Sequence, residues 1–157
     1  MIKKLVLDKV RWARGDTPTI QLLNDAGKMC CLGYCLGQEG MPARYLLNVG
    51  EPEEAYAYGD YDIDDDVVEY LVEKRIETEE DEDSGEESEI VKFIDKGIVS
   101  NAIGINDAGD TTDEQKVEAL NEIFSKVGIE VVLVDTPEEA AALGGLPVDY
   151  AAIGVNC

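Results

Sequence analysis

The chain reads as an α+β protein, a compact domain with a mixed or antiparallel sheet, a few helices and an acidic insertion. Three observations predict this. Apolar runs of strand length interleave with runs of helical period throughout. At 157 residues and 45% apolar content, the chain suits one core, so residues 1–157 are expected to form a single domain. The third is the charge distribution. Residues 1–50 hold seven bases and four acids, residues 51–89 two bases and nineteen acids, and residues 90–157 four bases and twelve acids. The middle block is thus set apart from its flanks.

The elements follow in order. Leu5 and Leu7 alternate with polar neighbours and predict a strand over 3–9. Residues 14–19 read as a loop. Residues 20–23 and 28–31 suggest two short strands around an Asn24-Asp25-Ala26-Gly27 turn. Residues 31–38 then turn helical, with a stop near Gly40 and Pro42 beyond. Residues 64–76 are ambiguous. Val67, Val68, Leu71, Val72 and Ile76 match helical spacing, with Asp64, Asp65 and Asp66 at the positive end, while the valines favour a strand. Residues 77–89, low-complexity and acidic, predict a mobile loop. Residues 90–97 suit a short helix or strand, and 101–106 a strand. Thr112 and Gln115 form a capping box for a helix over 113–127, with Val117, Leu120, Ile123, Phe124 and Val127 as its apolar stripe and Gly128 as its stop. A buried strand follows at 129–134. Thr136, Pro137 and Glu139 begin a short helix that Gly144 ends, and 149–155 suggest a last strand.

Composition narrows the chemistry. There is no histidine, so histidine-dependent triads, histidine metal sites and the usual general base near neutral pH are excluded. No run of 18 apolar residues occurs, and the apolar N-terminal run is too short for a signal peptide. A cytoplasmic protein with reduced thiols is expected. Cys30, Cys31 and Cys35 lack the paired spacing of a zinc site, which would also have to recruit Cys157. A thiolate nucleophile would lack an activating histidine. Packing beside Leu32 and Leu36 is the favoured role.

These same segments carry a resemblance. Trp12 to Gly15 (WARG), the turn residues Asp25, Gly27 and Lys28, then MCCLG at 29–33, AIGIND at 102–107 and GIEVVLVD at 128–135 resemble a group of small acidic proteins encoded by bacteriophages and prophages. The group has no assigned chemistry to carry over. The resemblance implies a phage setting, in the host cytoplasm, where small acidic proteins act on host machinery in takeover or anti-defence.

The net charge of −22 repels nucleic acid and anionic membranes and draws in cationic partners. If residues 62–80 formed one helix, Asp62, Asp66, Glu69, Glu73, Glu77 and Glu80 would line one face, about 5.4 Å apart along the axis. Tyr56, Tyr58, Tyr61 and Tyr70 lie in or beside that stretch, and tyrosine is a common interface anchor. The leading expectation is a non-enzymatic binding protein, without cofactor or catalytic residues. It would occupy a basic, nucleic-acid-binding surface of a host protein, as a nucleic-acid mimic. A charged solubilising face is the plain alternative. A second alternative is a divalent-metal-dependent enzyme or calcium-binding protein using Asp60, Asp62 and Asp64, though Asp65 and Leu71 stand where a calcium loop needs Gly and Glu. A third is a virion or assembly component. Gly27-Lys28 fails as a phosphate loop, because Leu22 and Met29 occupy its required Gly and Ser/Thr positions.

Overall fold

Leu5, Val6 and Leu7 are all buried, and they form the centre of strand β1 (Lys4–Asp8). In this computed structural model, which describes residues 1–15, 20–58 and 68–150 (the side chain of Tyr58 excepted), β1 runs parallel to β4 (Glu130–Val134), with Lys4 opposite Glu130 and Asp8 opposite Val134. Helices α1 (Cys31–Gln38) and α5 (Pro137–Ala142) pack on β1, and Gly145 comes so close that an added Cβ would lie 3.0 Å from the Val6 Cβ. Burial on both faces, the habit of parallel strands, replaces the alternation expected from the sequence. Strand β4 is less enclosed than expected: only Val131 is buried, and Val132 to Val134 are half-buried.

Helices α3 (Gly97–Asp107) and α4 (Asp113–Ser125) pack together against the same core. The capping box at Thr112 and Gln115 is formed, Leu120 and Phe124 are buried, and Gly128 takes a φ of +82° just past the helix. Thr136 caps α5 as expected, accepting the Glu139 amide at 3.2 Å. The strand expected at 101–106 is instead the second half of α3. Val99, Ala102 and Asn106 face inward at steps of three and four, so packing on α1 and α4 overrides the strand preference of Ile103 and Ile105.

The Asn24 turn exists. The Asn24 side chain accepts the amides of Ala26 and Lys28, and Gly27 takes a φ of +78°. The strands expected beside it reduce to isolated bridges, Trp12 with Met29 and Leu23 with Leu47. Of the strand expected at 149–155, only 149 and 150 are described, and the Tyr150 amide closes a turn onto the Pro147 carbonyl.

The largest departure lies in the acidic block. Helix α2 (Pro52–Tyr58) precedes it. After a single turn at 68–71, strands β2 (Val72–Glu80) and β3 (Glu87–Asp95) form an antiparallel hairpin, with Val72 opposite Asp95 and Glu80 opposite Glu87. Of the two structures that 64–76 left open, the strand holds from Val72 onward, and a single helix over 62–80 is ruled out by the ladder at 72–80. The expected loop over 77–89 is mostly ladder, with only residues 81–86 forming the turn. A helix would stack its carboxylates at i,i+4, whereas a strand sends neighbours to opposite faces and pairs Ile76 with Val91. Of the apolar stripe, Val68, Leu71 and Val72 are buried and Ile76 is 62% exposed, while Val67 lies outside the described residues.

Candidate interaction surface

Three of the segments that carry the resemblance, 12–15, 29–33 and 102–107, meet inside the molecule. The Asn106 side chain is fully buried. Its Oδ1 accepts the Trp12 indole N–H at 2.7 Å and the Cys31 amide at 3.1 Å, and its Nδ2 donates to the Ala13 carbonyl at 2.9 Å. The Gly15 amide donates to the Asn106 carbonyl at 3.1 Å. Arg14 stacks over Trp12 and forks onto Asp113 at 2.7 and 2.9 Å, which holds that carboxyl below its usual range. Nearby, buried Asp8 accepts both Arg11 and the Tyr34 hydroxyl. These polar groups are spent on one another, and their role is to lock β1, α1 and α3 together.

The three described cysteines are free and buried. Burial pushes the Cys30 thiol up to about 11 and raises Cys31 and Cys35 well above the ordinary value. A thiol so held stays protonated, so these residues pack rather than react.

Among the described residues, the longest exposed run is the hairpin. Every residue from 75 to 89 is exposed, and residues 77–89 carry nine acids and no base. Glu73, Arg75, Glu77 and Glu79 share one face; Lys74, Ile76, Thr78 and Glu80 share the other. Two bases temper the first face near its root. Arg75 bonds Glu73 at 3.1 Å, and Lys92 bonds Glu77 at 2.8 Å and lowers its pKa. Beyond them the charge is uncompensated, and Glu80 stands directly opposite Glu87. The turn organises itself through Asp81, whose carboxylate accepts the Asp83 amide at 2.9 Å, and through Gly85 at a φ of +69°.

The expected site residues fare differently. Glu69, Glu73, Glu77 and Glu80 are exposed, but on a turn and two faces of a strand rather than one helical row. Tyr56 is no surface anchor. It is buried, stacks on Phe93 at 5.6 Å between ring centroids and accepts the Val68 amide through its hydroxyl. It pins the hairpin root to α2. The Tyr70 hydroxyl is buried without a hydrogen-bond partner among the described residues. Tyr61, Asp60, Asp62, Asp64 and Asp66 lie outside the described residues, as does the side chain of Tyr58.

One cluster went unseen in the sequence because its members are distant in the chain. Glu51, Glu53 and Asp95 bring carboxylate oxygens within 4.8 Å of one another at the hairpin root, beside a cleft of 380 Å³. Asp95 accepts the Glu53 amide at 2.9 Å, and the Asp95 amide donates to the Glu53 carboxylate at 3.2 Å. Burial first, then the neighbouring Glu51 and Glu53, push Asp95 up to about 7. The reciprocal bonds make this a clamp between α2 and β3. A second cleft, of 490 Å³, lies between α3 and α4. Buried Lys116 borders it, but its ammonium is engaged by the Ala108 and Thr111 carbonyls and the Thr111 hydroxyl.

No family model, no curated protein and no solved structure matches this chain. Among the described residues, no helix is long and apolar enough to cross a membrane.

Proposed function

We propose that this is a non-enzymatic binding protein whose acidic hairpin docks on a basic surface of a partner protein, of the kind that otherwise holds nucleic acid. One observation carries the reading: an ordered arm, exposed on both faces, concentrates nine carboxylates with no base over residues 77–89. A strand rises about 3.4 Å per residue, so the stretch from 77 to the turn is about 15 Å long. Five of the nine carboxylates lie along that length, about one per 3 Å, and the other four crown the turn, a density between that of duplex DNA, at about 1.7 Å per charge, and that of one of its strands, at about 3.4 Å. The arm therefore offers a phosphate-binding groove a comparable line of negative charge on a scaffold no wider than two strands. In the phage setting that the resemblance implies, the partner is a host protein.

The test is capture from host lysate on the wild type and on a variant with Glu79, Glu80, Glu86 and Glu87 reversed to Lys. A basic partner should be held by the wild type alone, fall off steeply with salt, and be displaced by nucleic acid. A partner that ignores salt and binds the reversed arm equally well would sink the reading and leave the arm a solubilising surface.

A further inference from the structure

We propose that the outer edge of β2 accepts an extended segment of the partner as a third strand; the proposal rests on the reading of the arm as a dock for a cationic protein and specifies how contact is made. The phase of the ladder decides which groups are free. The Lys96 amide bonds the Leu71 carbonyl at 2.8 Å at the root, and the Asp81 amide bonds the Glu86 carbonyl at 2.9 Å at the tip. In an antiparallel pair, hydrogen-bonded and non-bonded positions alternate. The pairs 73/94, 75/92, 77/90 and 79/88 are therefore the bonded ones, and the backbone groups of Ile76, Thr78 and Glu80 point away from β3. They make no backbone bond elsewhere among the described residues.

The corresponding edge of β3 is obstructed at its root. There the Asp95 amide is taken by the Glu53 carboxylate, and Phe93 is stacked on Tyr56 of α2. A strand added to β3 would meet α2, whereas the edge of β2 is exposed from Arg75 to the tip. An exposed edge of this kind is a template for strand addition.

Charge selects the occupant. A second copy of this chain would lay its own β2, with Glu73, Glu77, Glu79 and Glu80, beside the same four acids, and like charges across a ladder destabilise it. A segment rich in Lys or Arg is complementary. The faces specify its pattern further. On one side it would meet Glu77 and Glu79. Lys92 is bonded to Glu77 and reaches Glu79 only at longer range, so a base beside Glu79 adds the most. On the other side it would meet Ile76, 62% exposed, backed by Val91 at 47%. An apolar residue there would cover an apolar pair that this chain leaves in water. The preferred segment therefore alternates basic and apolar residues, the period of a strand rather than a helix.

The experiment uses the full chain, labelled for amide NMR, and a capped nine-residue peptide of alternating Lys and Val. The expected result is perturbation of the arm and at least tenfold slower hydrogen exchange at the Ile76, Thr78 and Glu80 amides. The same peptide with alternate amides N-methylated keeps its charge but loses its donors, and should bind at least tenfold more weakly. Thr78→Pro removes an outward N–H without touching the ladder, and should abolish the protection while leaving the rest of the spectrum intact. Equal binding of both peptides, with the three amides unprotected, would overturn the third strand and leave the cationic dock standing. Absence of any shift with either peptide would overturn both.

Discussion

Asn106 shows how a single side chain can hold three chain segments. Its carboxamide satisfies Trp12, Cys31 and Ala13 in a site closed to water. Asn106→Ala would leave two buried donors and one buried acceptor unpaired, each worth about 1–3 kcal/mol. A loss of at least about 3 kcal/mol is expected in denaturant unfolding, with no replacement of similar size restoring it unless it carries both a donor and an acceptor. The cysteines give a second prediction at this scale. With their thiols raised by burial, Cys30, Cys31 and Cys35 should label with a thiol reagent only as fast as the protein opens, and all three together in denaturant. Rapid labelling of native Cys30 would contradict the packing role.

The hairpin and its root set the predictions at the scale of elements. Asp95 binds its proton more tightly in the folded chain, at about 7, than a free carboxyl does. Between the ordinary carboxyl value and pH 7 the folded state therefore holds a proton that the unfolded state has lost. Stability from this group is present at low pH and declines as pH rises toward and through about 7. Asp95→Asn keeps an acceptor for the Glu53 amide and removes the charge repelled by Glu51 and Glu53. It should raise the melting temperature at pH 8 more than at pH 5, and a variant that melts lower at pH 8 would refute the assignment. At the far end of the arm, Glu80 and Glu87 oppose each other at a non-bonded position, where side chains stand closest. Glu87→Lys should steady the ladder by about 0.5 kcal/mol, read as slower exchange of the arm amides, while weakening the proposed docking.

For the molecule as a whole, a net charge of −22 on 157 residues opposes compactness. Salt screens that repulsion over about 10 Å at 0.1 M. The melting temperature should therefore rise with added sodium chloride at neutral pH, even as affinity for a basic partner falls. These opposite responses separate the two uses of charge: self-repulsion is relieved by the same screening that removes attraction. A melting temperature indifferent to salt would show that the acids are too well spaced to strain the fold. The arm accounts for much of the charge yet projects it away from the core, which is how so acidic a chain keeps a buried cluster around Trp12, Tyr34 and Phe124.

Some of this was legible in the residues alone, because it depends on near neighbours or simple counting. The capping box of α4, the Thr136 cap of α5, the glycine stops, the charge block at 51–89 and the packing of cysteines without histidine needed no knowledge of the fold. Tertiary structure decided the rest. Residues 101–106 and 72–80 are short apolar or mixed runs whose periodicity fits two structures, and the choice fell to distant partners: α1 and α4 for the first, β3 for the second. Tyr56 moved from surface anchor to core for the same reason, since its partners Val68 and Phe93 lie 12 and 37 positions away. The Glu51, Glu53 and Asp95 cluster exists only once the hairpin returns to α2. The acidity of the chain is a property of its composition; its concentration on an open strand edge is a property of hydrogen-bond register, which forms only when two strands meet.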